Sequence, residues 1–349
     1  MHTGIYGSIT WLERLHMAVT LLQLPVVAIY RLLVSPFAKR DKHKTWRRVL
    51  TDISFRYSSS SLRVNQIQAL LGKDEDVYDK WIKRHKLPHN IDVLGSNSSL
   101  MWLSKKSTEK VILYVHGGCY CLPMQDFAAD YWKNTVDSIN QNFSTSDQVG
   151  LVALSYPLIP DGDFPSQLKQ IMVALQYLIS NGTKAENIHI AGESAGGGLV
   201  LQLLSHLLHP VQDADLPSVS LSTTAASHKA NSDLDVLPDW SWGELFEYSA
   251  PFLKASNSSS PYVEALTAPE GWFSDAETVV ERIFMSVGEY ECMRDDVLAV
   301  MKKIPSSDGF LTTFVEPKGV HNGQYLDCLA GQVGELSEKI KDWIMESIA

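Results

Sequence analysis

Cysteine is scarce in this 349-residue chain, and its scarcity limits how the fold can be held together. Cys119, Cys121, Cys292 and Cys328 are too few and too scattered for a disulfide scaffold. Cys119 and Cys121 have one residue between them, which is not the usual spacing of zinc ligands, and no second pair follows. We therefore expect four free thiols and predict neither a bound metal nor a cofactor.

Excess positive charge is also lacking. The formal net charge is -10, whereas affinity for a polyphosphate requires clustered lysine and arginine, so no nucleic-acid partner is expected. No zinc-finger, RNA-binding or phosphate-loop pattern is present. With 45% hydrophobic and 20% charged residues, the composition is that of a folded globular protein, long enough for one large α/β domain.

Basic residues outnumber acidic ones before residue 49, where the chain has eight basic and two acidic side chains. Residues 17–34 form an apolar run that is marginal for a bilayer span and is interrupted by Gln23, Pro25 and Arg31. A basic segment beside an apolar run suits a membrane surface with anionic lipids. We predict that residues 1–48 are membrane-associated, either spanning the bilayer or lying in its interface. The alternative is an amphipathic helix that caps the domain that follows it.

The side of the membrane stays open. The basic cluster after the apolar run favours a cytoplasmic location of the domain that follows. Glycosylation sequons begin at Asn97, Asn142, Asn181 and Asn257, which would suit a lumenal domain, for example in the endoplasmic reticulum. A cleaved signal peptide fits poorly, because no small-residue cleavage site follows the run.

The remaining sequence is predicted to contain a helical cap over residues 49–96 and a catalytic domain over residues 97–349. In the cap, the serines of SSSSL are expected to link two helices. Residues 227–272, rich in Trp, Ser and Pro, are expected to form a lid-like insertion near the site. In the rest of residues 97–349, apolar strands alternate with helices, which predicts a mainly parallel sheet covered by helices on both faces. Strands are expected in MWLSKK, KVILYVHGG, GLVALSYPLIP, NIHIA, PSVSLSTT, RIFMSVGEY and FLTTFVEP.

The most specific motif is Gly192-Glu193-Ser194-Ala195-Gly196, which follows the strand NIHIA and precedes an apolar helix. This is the pattern of a nucleophile elbow, where a serine on a strained turn presents its hydroxyl above the sheet. Neighbouring chain passes so close that Gly192 and Gly196 must lack side chains. A nucleotide-binding glycine loop is the alternative, but its spacing is absent. Ser194 is therefore the predicted nucleophile.

A second motif, His116-Gly117-Gly118, closes the strand VILYV upstream. Acyl transfer places negative charge on the former carbonyl oxygen, and preorganised backbone N–H groups stabilise it. Two successive glycines let such groups point inward. We predict an oxyanion hole formed by the amides of Gly117, Gly118 and Ala195, with His116 as a structural brace of the loop.

Together these motifs resemble the hormone-sensitive-lipase family of α/β hydrolases, with His-Gly-Gly-Gly, Tyr-x-Leu-x-Pro-x-x-x-Phe-Pro and Gly-Asp-Ser-Ala-Gly-Gly. The middle element appears at residues 156–165, and the resemblance covers about residues 97 to 347. It implies the α/β-hydrolase fold with an N-terminal helical cap. Cys119 replaces the third glycine of the family pattern, and Glu193 replaces its aspartate. We expect the oxyanion loop to persist, with the Cys119 side chain altering the acyl pocket.

In this fold the chain order is nucleophile, acid, base. Glu291 follows the strand RIFMS at the family's acid position, although Glu289, Asp295 and Asp296 are alternatives. His321 lies between the last strand and the last helix, where the base must be to reach Ser194. Histidine is the side chain that can take up and return a proton near neutral pH.

The resemblance implies cleavage of carboxylic esters with short or medium acyl chains through an acyl-enzyme. An apolar N-terminus ahead of such a domain is similar to fungal steryl acetyl hydrolases, and similar hydrolases accompany fungal polyketide and cytochalasan pathways. We expect a lipophilic sterol ester or secondary metabolite as substrate.

Two other functions remain open at this point. One is a catalyst of cyclisation, condensation or product release that uses the same residues without hydrolysis. The other is a ligand receptor on the same scaffold, as in the gibberellin receptors, although those look disabled at the base.

Overall fold

The computed structural model describes residues 5–95, 97–144, 147–210, 225–253, 261–262 and 264–348. Helices and strands alternate over most of this length. The α-helices are α1 Trp11–Val34, α2 Trp46–Ser61, α3 Val64–Leu71, α4 Asp74–His85, α5 Asp126–Asn140, α6 Ser166–Ser180, α7 Ala195–Leu208, α8 Ala226–Asn231, α9 Asp239–Leu253, α10 Arg294–Met301, α11 Gly323–Leu329 and α12 Glu335–Ile348. The strands are β1 Ile91–Gly95, β2 Ser98–Trp102, β3 Val111–Val115, β4 Gly150–Ser155, β5 Ile188–Gly192, β6 Ile283–Gly288 and β7 Leu311–Glu316.

The larger sheet has β3 between β4 and β5, in parallel with both. Beyond β4, β2 and then β1 continue the sheet in antiparallel orientation. Within the described residues, β6 and β7 form a separate parallel pair. Parallel pairing therefore predominates along the strands that lead to the site, as the alternating pattern predicts.

Strand β3 shows why these segments are strands. All five of its side chains are fully buried, and successive side chains of a strand point to opposite faces. Val111, Leu113 and Val115 accordingly enter the core beneath α6 and α7, while Ile112 and Tyr114 enter the core beneath α5 and α12. A strand without a polar side chain is stable only when both of its faces are covered.

The predicted serine linker is wrong. Helix α2 runs through all four serines to Ser61, and within it Ser59 and Ser60 donate side-chain hydrogen bonds back to the carbonyl oxygen of Arg56. The structure also contains strand β1 and helix α5, which the sequence patterns did not predict. The strand expected in PSVSLSTT lies outside the described residues.

The N-terminal region lies against the cap. Helix α1 packs along α2 and also contacts α3. By length and composition it is apolar enough to cross a membrane, and 6% of its most apolar window is buried in the protein. The described part of the predicted insertion supplies α8 and α9, and α9 packs against α2 and α3. The cap and the insertion thus meet on one side of the catalytic domain.

Candidate active site

Ser194 lies in the sharp turn between β5 and α7, with φ 52° and ψ -125°. A non-glycine residue rarely adopts positive φ, so this turn is a strained one. A side chain at Gly196 would place its Cβ 2.0 Å from the carbonyl oxygen of Val115, and one at Gly192 would place it 2.6 Å from that of Gly196. The crossing of β3 and the start of α7 therefore require glycine at both positions, as the elbow motif predicts.

The loop after β3 has positive φ at Gly118, Cys119 and Tyr120, with values of 98°, 51° and 59°. Gly118 and Cys119 line the same cavity as Ser194. In the described part of the chain, the N–H groups of Gly118, Cys119 and Ala195 have no hydrogen-bond acceptor. They are available to an incoming oxyanion.

Gly117 behaves differently from its predicted role. Its N–H donates a hydrogen bond of 2.8 Å to Oε1 of Glu193, so the structure does not support it as an oxyanion donor. The residue still has to be glycine, because a Cβ there would lie 2.9 Å from the Cβ of Ser194. The amide of Cys119 replaces that of Gly117 in the candidate oxyanion hole.

Glu193, which stands where the family pattern has aspartate, supports this loop through the hydrogen bonds of its carboxylate. Its Oε1 accepts from the Tyr114 hydroxyl at 2.9 Å as well as from Gly117. Burial raises the pKa of Glu193 to about 7, although its hydrogen bonds and the nearby His116 favour its charged form. The carboxyl group is therefore poised to change its charge near neutral pH.

His116 is buried and stacks on Tyr156, with ring centroids 4.3 Å apart. The Tyr156 hydroxyl donates to the His116 carbonyl oxygen at 2.8 Å. Burial opposes a charged imidazole here, but the nearby Asp74 carboxylate outweighs it and raises the pKa of His116. His116 is not among the residues that line the cavity at Ser194, and its predicted role as a brace stays a prediction.

Glu291 and His321 form the imidazole–carboxylate pair expected from the chain order. Oε1 of Glu291 lies 2.6 Å from Nδ1 of His321, and Oε2 accepts from the Gly288 N–H at 2.9 Å. Both residues are buried. Burial disfavours a charged imidazole, yet the adjacent Glu291 carboxylate prevails and raises the pKa of His321. This is the arrangement in which a carboxylate orients a general base and stabilises its protonated form.

None of the alternative acids contacts His321. Glu289 accepts from the Lys318 N–H, and Asp295 accepts from the Ser227 N–H. Asp296 faces His228 at 3.4 Å. Glu291 is thus the carboxylate that the fold brings to the imidazole.

Ser194 and His321 line the same cavity of about 320 Å³. They are not hydrogen-bonded to each other in the described contacts, and such nucleophile–base contacts are often long in ligand-free sites and tighten in complexes. The cavity wall is mostly apolar, and α2, α3 and α9 each contribute to it. Its apolar members include Phe55, Leu62, Val64, Ile67, Trp242 and Leu245.

Asp235 is a site residue that the sequence did not single out. It is fully buried, and its Oδ1 accepts from the backbone N–H of His321 at 2.8 Å while its Oδ2 accepts from that of Cys292 at 2.8 Å. One carboxylate from the predicted insertion thereby joins the loop of the acid to the loop of the base. Burial raises the pKa of Asp235 to about 6, while attraction to His321 opposes the rise.

Two further contacts tie the insertion to the site. The Ser249 hydroxyl donates to the carbonyl oxygen of Cys119 at 3.0 Å, which supports the oxyanion loop. The Trp242 ring packs edge-on to the His321 ring at a centroid distance of 4.8 Å. In its described part, the predicted lid-like insertion therefore forms a wall of the site and holds its loops in place.

An elbow serine and an imidazole–carboxylate pair beside one cavity on an α/β sheet form a candidate serine hydrolase site. The sequence model of one family, described as the alpha/beta hydrolase fold, matches residues 112–324, and the chain belongs to this family. The predicted classification with hormone-sensitive-lipase-like hydrolases is confirmed by this match together with the relatives described next.

Among curated relatives, the "Putative steryl acetyl hydrolase mug81" of Schizosaccharomyces pombe is 26% identical over 69% of this chain and 67% of its own length. An esterase of Acinetobacter venetianus is 26% identical over 38% of this chain and 44% of its own length. The chain thus spans less than half of the second relative. A crystal structure of an esterase from the bacterial hormone-sensitive lipase family has a TM-score of 0.64 at 18% identity, covering 88% of this chain and 99% of that one. At this identity, the structural likeness speaks for the fold alone.

Proposed function

We propose that this chain is a serine esterase that cleaves a carboxylic ester of a lipophilic substrate through an acyl-enzyme. Ser194 attacks the ester carbonyl, His321 takes the proton of its hydroxyl, and Glu291 stabilises the resulting imidazolium. The amides of Gly118, Cys119 and Ala195 receive the oxyanion. His321 then returns its proton to the leaving alcohol, and water activated by the same imidazole releases the acid.

The pairing of His321 with Glu291 at 2.6 Å beside the cavity of Ser194 is the observation that most supports this function. A receptor on the same scaffold would not need an oriented base. The coarser part of the proposal, carboxylic ester hydrolysis, also agrees with family membership and with relatives named as esterases and acetyl hydrolases.

The lipophilic substrate is inferred from the lining of the cavity. Its apolar lining includes Phe55 of α2, Ile67 of α3 and Trp242 of α9, and apolar walls favour apolar ligands by removing their surface from water. Hydroxyl side chains of α2 also line the cavity. The relative named as a steryl acetyl hydrolase points to an acetyl ester of a bulky apolar alcohol. Membrane association of the N-terminal segment would bring the enzyme to such substrates.

The proposal is tested with the purified full chain, p-nitrophenyl acetate and butyrate, and a fluorophosphonate probe that labels activated serines. We expect turnover of both esters and labelling of the peptide that contains Ser194. Ser194→Ala should lose both, whereas Ser306→Ala, at an exposed serine, should keep both. Absence of label at Ser194 in the folded wild-type protein would refute the mechanism. Labelling without ester turnover would instead favour non-hydrolytic acyl chemistry.

A further inference from the structure

Helix α1 has two faces of opposite character. The side chains that point away from the protein form a continuous apolar stripe spaced by three and four residues, as one face of a helix requires. Its members are Leu12, Leu15, Val19, Leu22, Val26, Ile29, Tyr30 and Leu33, each between 44% and 77% exposed. Soluble proteins rarely expose a contiguous apolar surface of this extent, so the stripe is a candidate interaction surface.

The opposite face of α1 is fixed to the cap by polar contacts. Asn65 of α3 donates to Oε1 of Glu13 at 2.9 Å, and the Tyr57 hydroxyl of α2 donates to Oε1 of Gln23 at 2.9 Å. Thr20 is buried between these contacts. Glu13 therefore lies at the start of α3 and Gln23 lies beside Tyr57 of α2, so α1 is attached to both helices of the cap.

Both ends of α1 are attached to the same body. Before the helix, the Tyr6 hydroxyl donates to the carbonyl oxygen of Gly72 at 2.9 Å. After it, Thr45 contacts Gln332 at 3.0 Å. A helix of this length, at about 1.5 Å per residue, spans a bilayer only if its ends lie on opposite sides of a hydrocarbon core about 30 Å thick. Ends held on one body do not meet that condition.

We propose that α1 lies in the plane of a membrane, with its apolar stripe in one leaflet and its polar face on the catalytic domain. The side chains around the stripe favour a lipid surface over a second copy of the chain. Lys39, Lys42 and Arg47 are exposed beyond its C-terminal end, where they meet anionic headgroups. Trp11 and Trp46 are 70% and 62% exposed, and tryptophan prefers the level of the headgroups.

This seating places the cavity next to the lipid. Helix α2, on which α1 lies, lines the cavity with Phe55, and α3 lines it with Ile67 and Leu70. Leu70 is 45% exposed, so the apolar wall reaches the surface. A lipophilic ester dissolved in the leaflet therefore has a short apolar path towards Ser194. This last step rests on the proposed esterase function, whereas the seating of α1 does not.

The seating is tested first by flotation of the purified full chain with vesicles of phosphatidylcholine, with and without phosphatidylserine. Wild type should float with both and more strongly with the anionic vesicles. Leu22→Glu combined with Val26→Glu should weaken partitioning by about a hundredfold, since each buried aliphatic side chain contributes roughly tenfold. Val93→Glu, a change at a 79% exposed valine outside α1, should float like wild type. Equal flotation of all three proteins, or a stable dimer that does not float, would overturn the proposal.

A second experiment separates lying in the membrane from spanning it. Ser8→Cys and Lys42→Cys, at exposed positions flanking α1, are made separately in a Cys328→Ser background and expressed into sealed microsomes. An impermeant maleimide should treat both sites alike before detergent is added. Labelling of one site before detergent and of the other only after it would show a span and refute the in-plane arrangement.

Activity provides an independent check on access from the leaflet. The Leu22→Glu, Val26→Glu variant should hydrolyse soluble p-nitrophenyl acetate at the wild-type rate and a lipophilic ester embedded in vesicles at a rate at least tenfold lower. Equal loss on both substrates would refute the access route. If the wild type hydrolyses neither ester, the proposed function fails, while flotation and labelling still decide the seating.

Discussion

Asp235→Asn removes a fully buried carboxylate that joins the loops of the proposed acid and base, Glu291 and His321. The wild-type side chain accepts the backbone N–H of His321 through Oδ1 and that of Cys292 through Oδ2. Asparagine keeps the shape but has a single acceptor oxygen, so one buried N–H faces an amide that also donates. Losing a hydrogen bond to a charged group costs about 1.5–3 kcal/mol.

If that cost falls on the alignment of His321, kcat/KM should drop by roughly ten- to a hundredfold, because each 1.36 kcal/mol is a factor of ten. The pH profile should also move. The negative charges of Glu291 and Asp235 raise the pKa of His321 against the effect of burial. Removing one charge lowers that pKa, and the base acts in its neutral form, so the acid limb of kcat/KM should shift to lower pH.

The assay is hydrolysis of p-nitrophenyl butyrate from pH 5 to 9, with circular dichroism to verify folding. Asp233→Asn is the matched control, since Asp233 lies two residues away and is exposed. It should leave both the rate and the profile unchanged. A folded Asp235→Asn variant with the wild-type rate and the wild-type acid limb would refute the positioning role.

Three further predictions concern the elbow and the oxyanion loop. Gly196→Ala should abolish soluble expression, because its Cβ would lie 2.0 Å from a backbone oxygen. As a control, Gly243→Ala, in open space within α9, should raise the free energy of unfolding by about 0.5–1 kcal/mol. A soluble, active Gly196→Ala protein would contradict the close crossing of β3 and α7. Glu193 holds its proton more tightly in the folded state, since its pKa is raised to about 7, so the free energy of unfolding should fall by up to about 3 kcal/mol as pH rises from 4.5 through 7. Urea denaturation should show this fall in wild type and its absence in Glu193→Gln; an equal slope in both would refute it. Cys119→Gly should keep kcat within about threefold, because only the backbone of this residue is proposed to contact the oxyanion. Cys119→Val should destabilise the protein by at least about 1 kcal/mol, because a β-branched residue is strained at the φ of 51° found here. Equal thermal stability of the two variants would contradict this strain.

Local patterns were enough to predict the elements that deliver the nucleophile. The strand ending at Gly192, the turn at Ser194 and the helix after it are contiguous, so the motif determines them together. Burial of both faces of β3 follows from its unbroken apolar sequence. The serines of α2 misled the prediction, because packing of α2 against α1, α9 and α11 overrides their propensity for turns.

The sequence by itself determined the class of chemistry: an elbow serine, a glycine loop for the oxyanion, and an acid and a base in the chain order of an α/β hydrolase. Only the tertiary structure showed that the Gly117 amide is not available to the candidate oxyanion hole, because its N–H donates to a carboxylate 76 residues away in the chain. It likewise decided that Asp235 supports a histidine 86 residues further on and that α1 lies along the cap. Such contacts depend on how distant segments pack against one another, and no local pattern of residues encodes that distance in space.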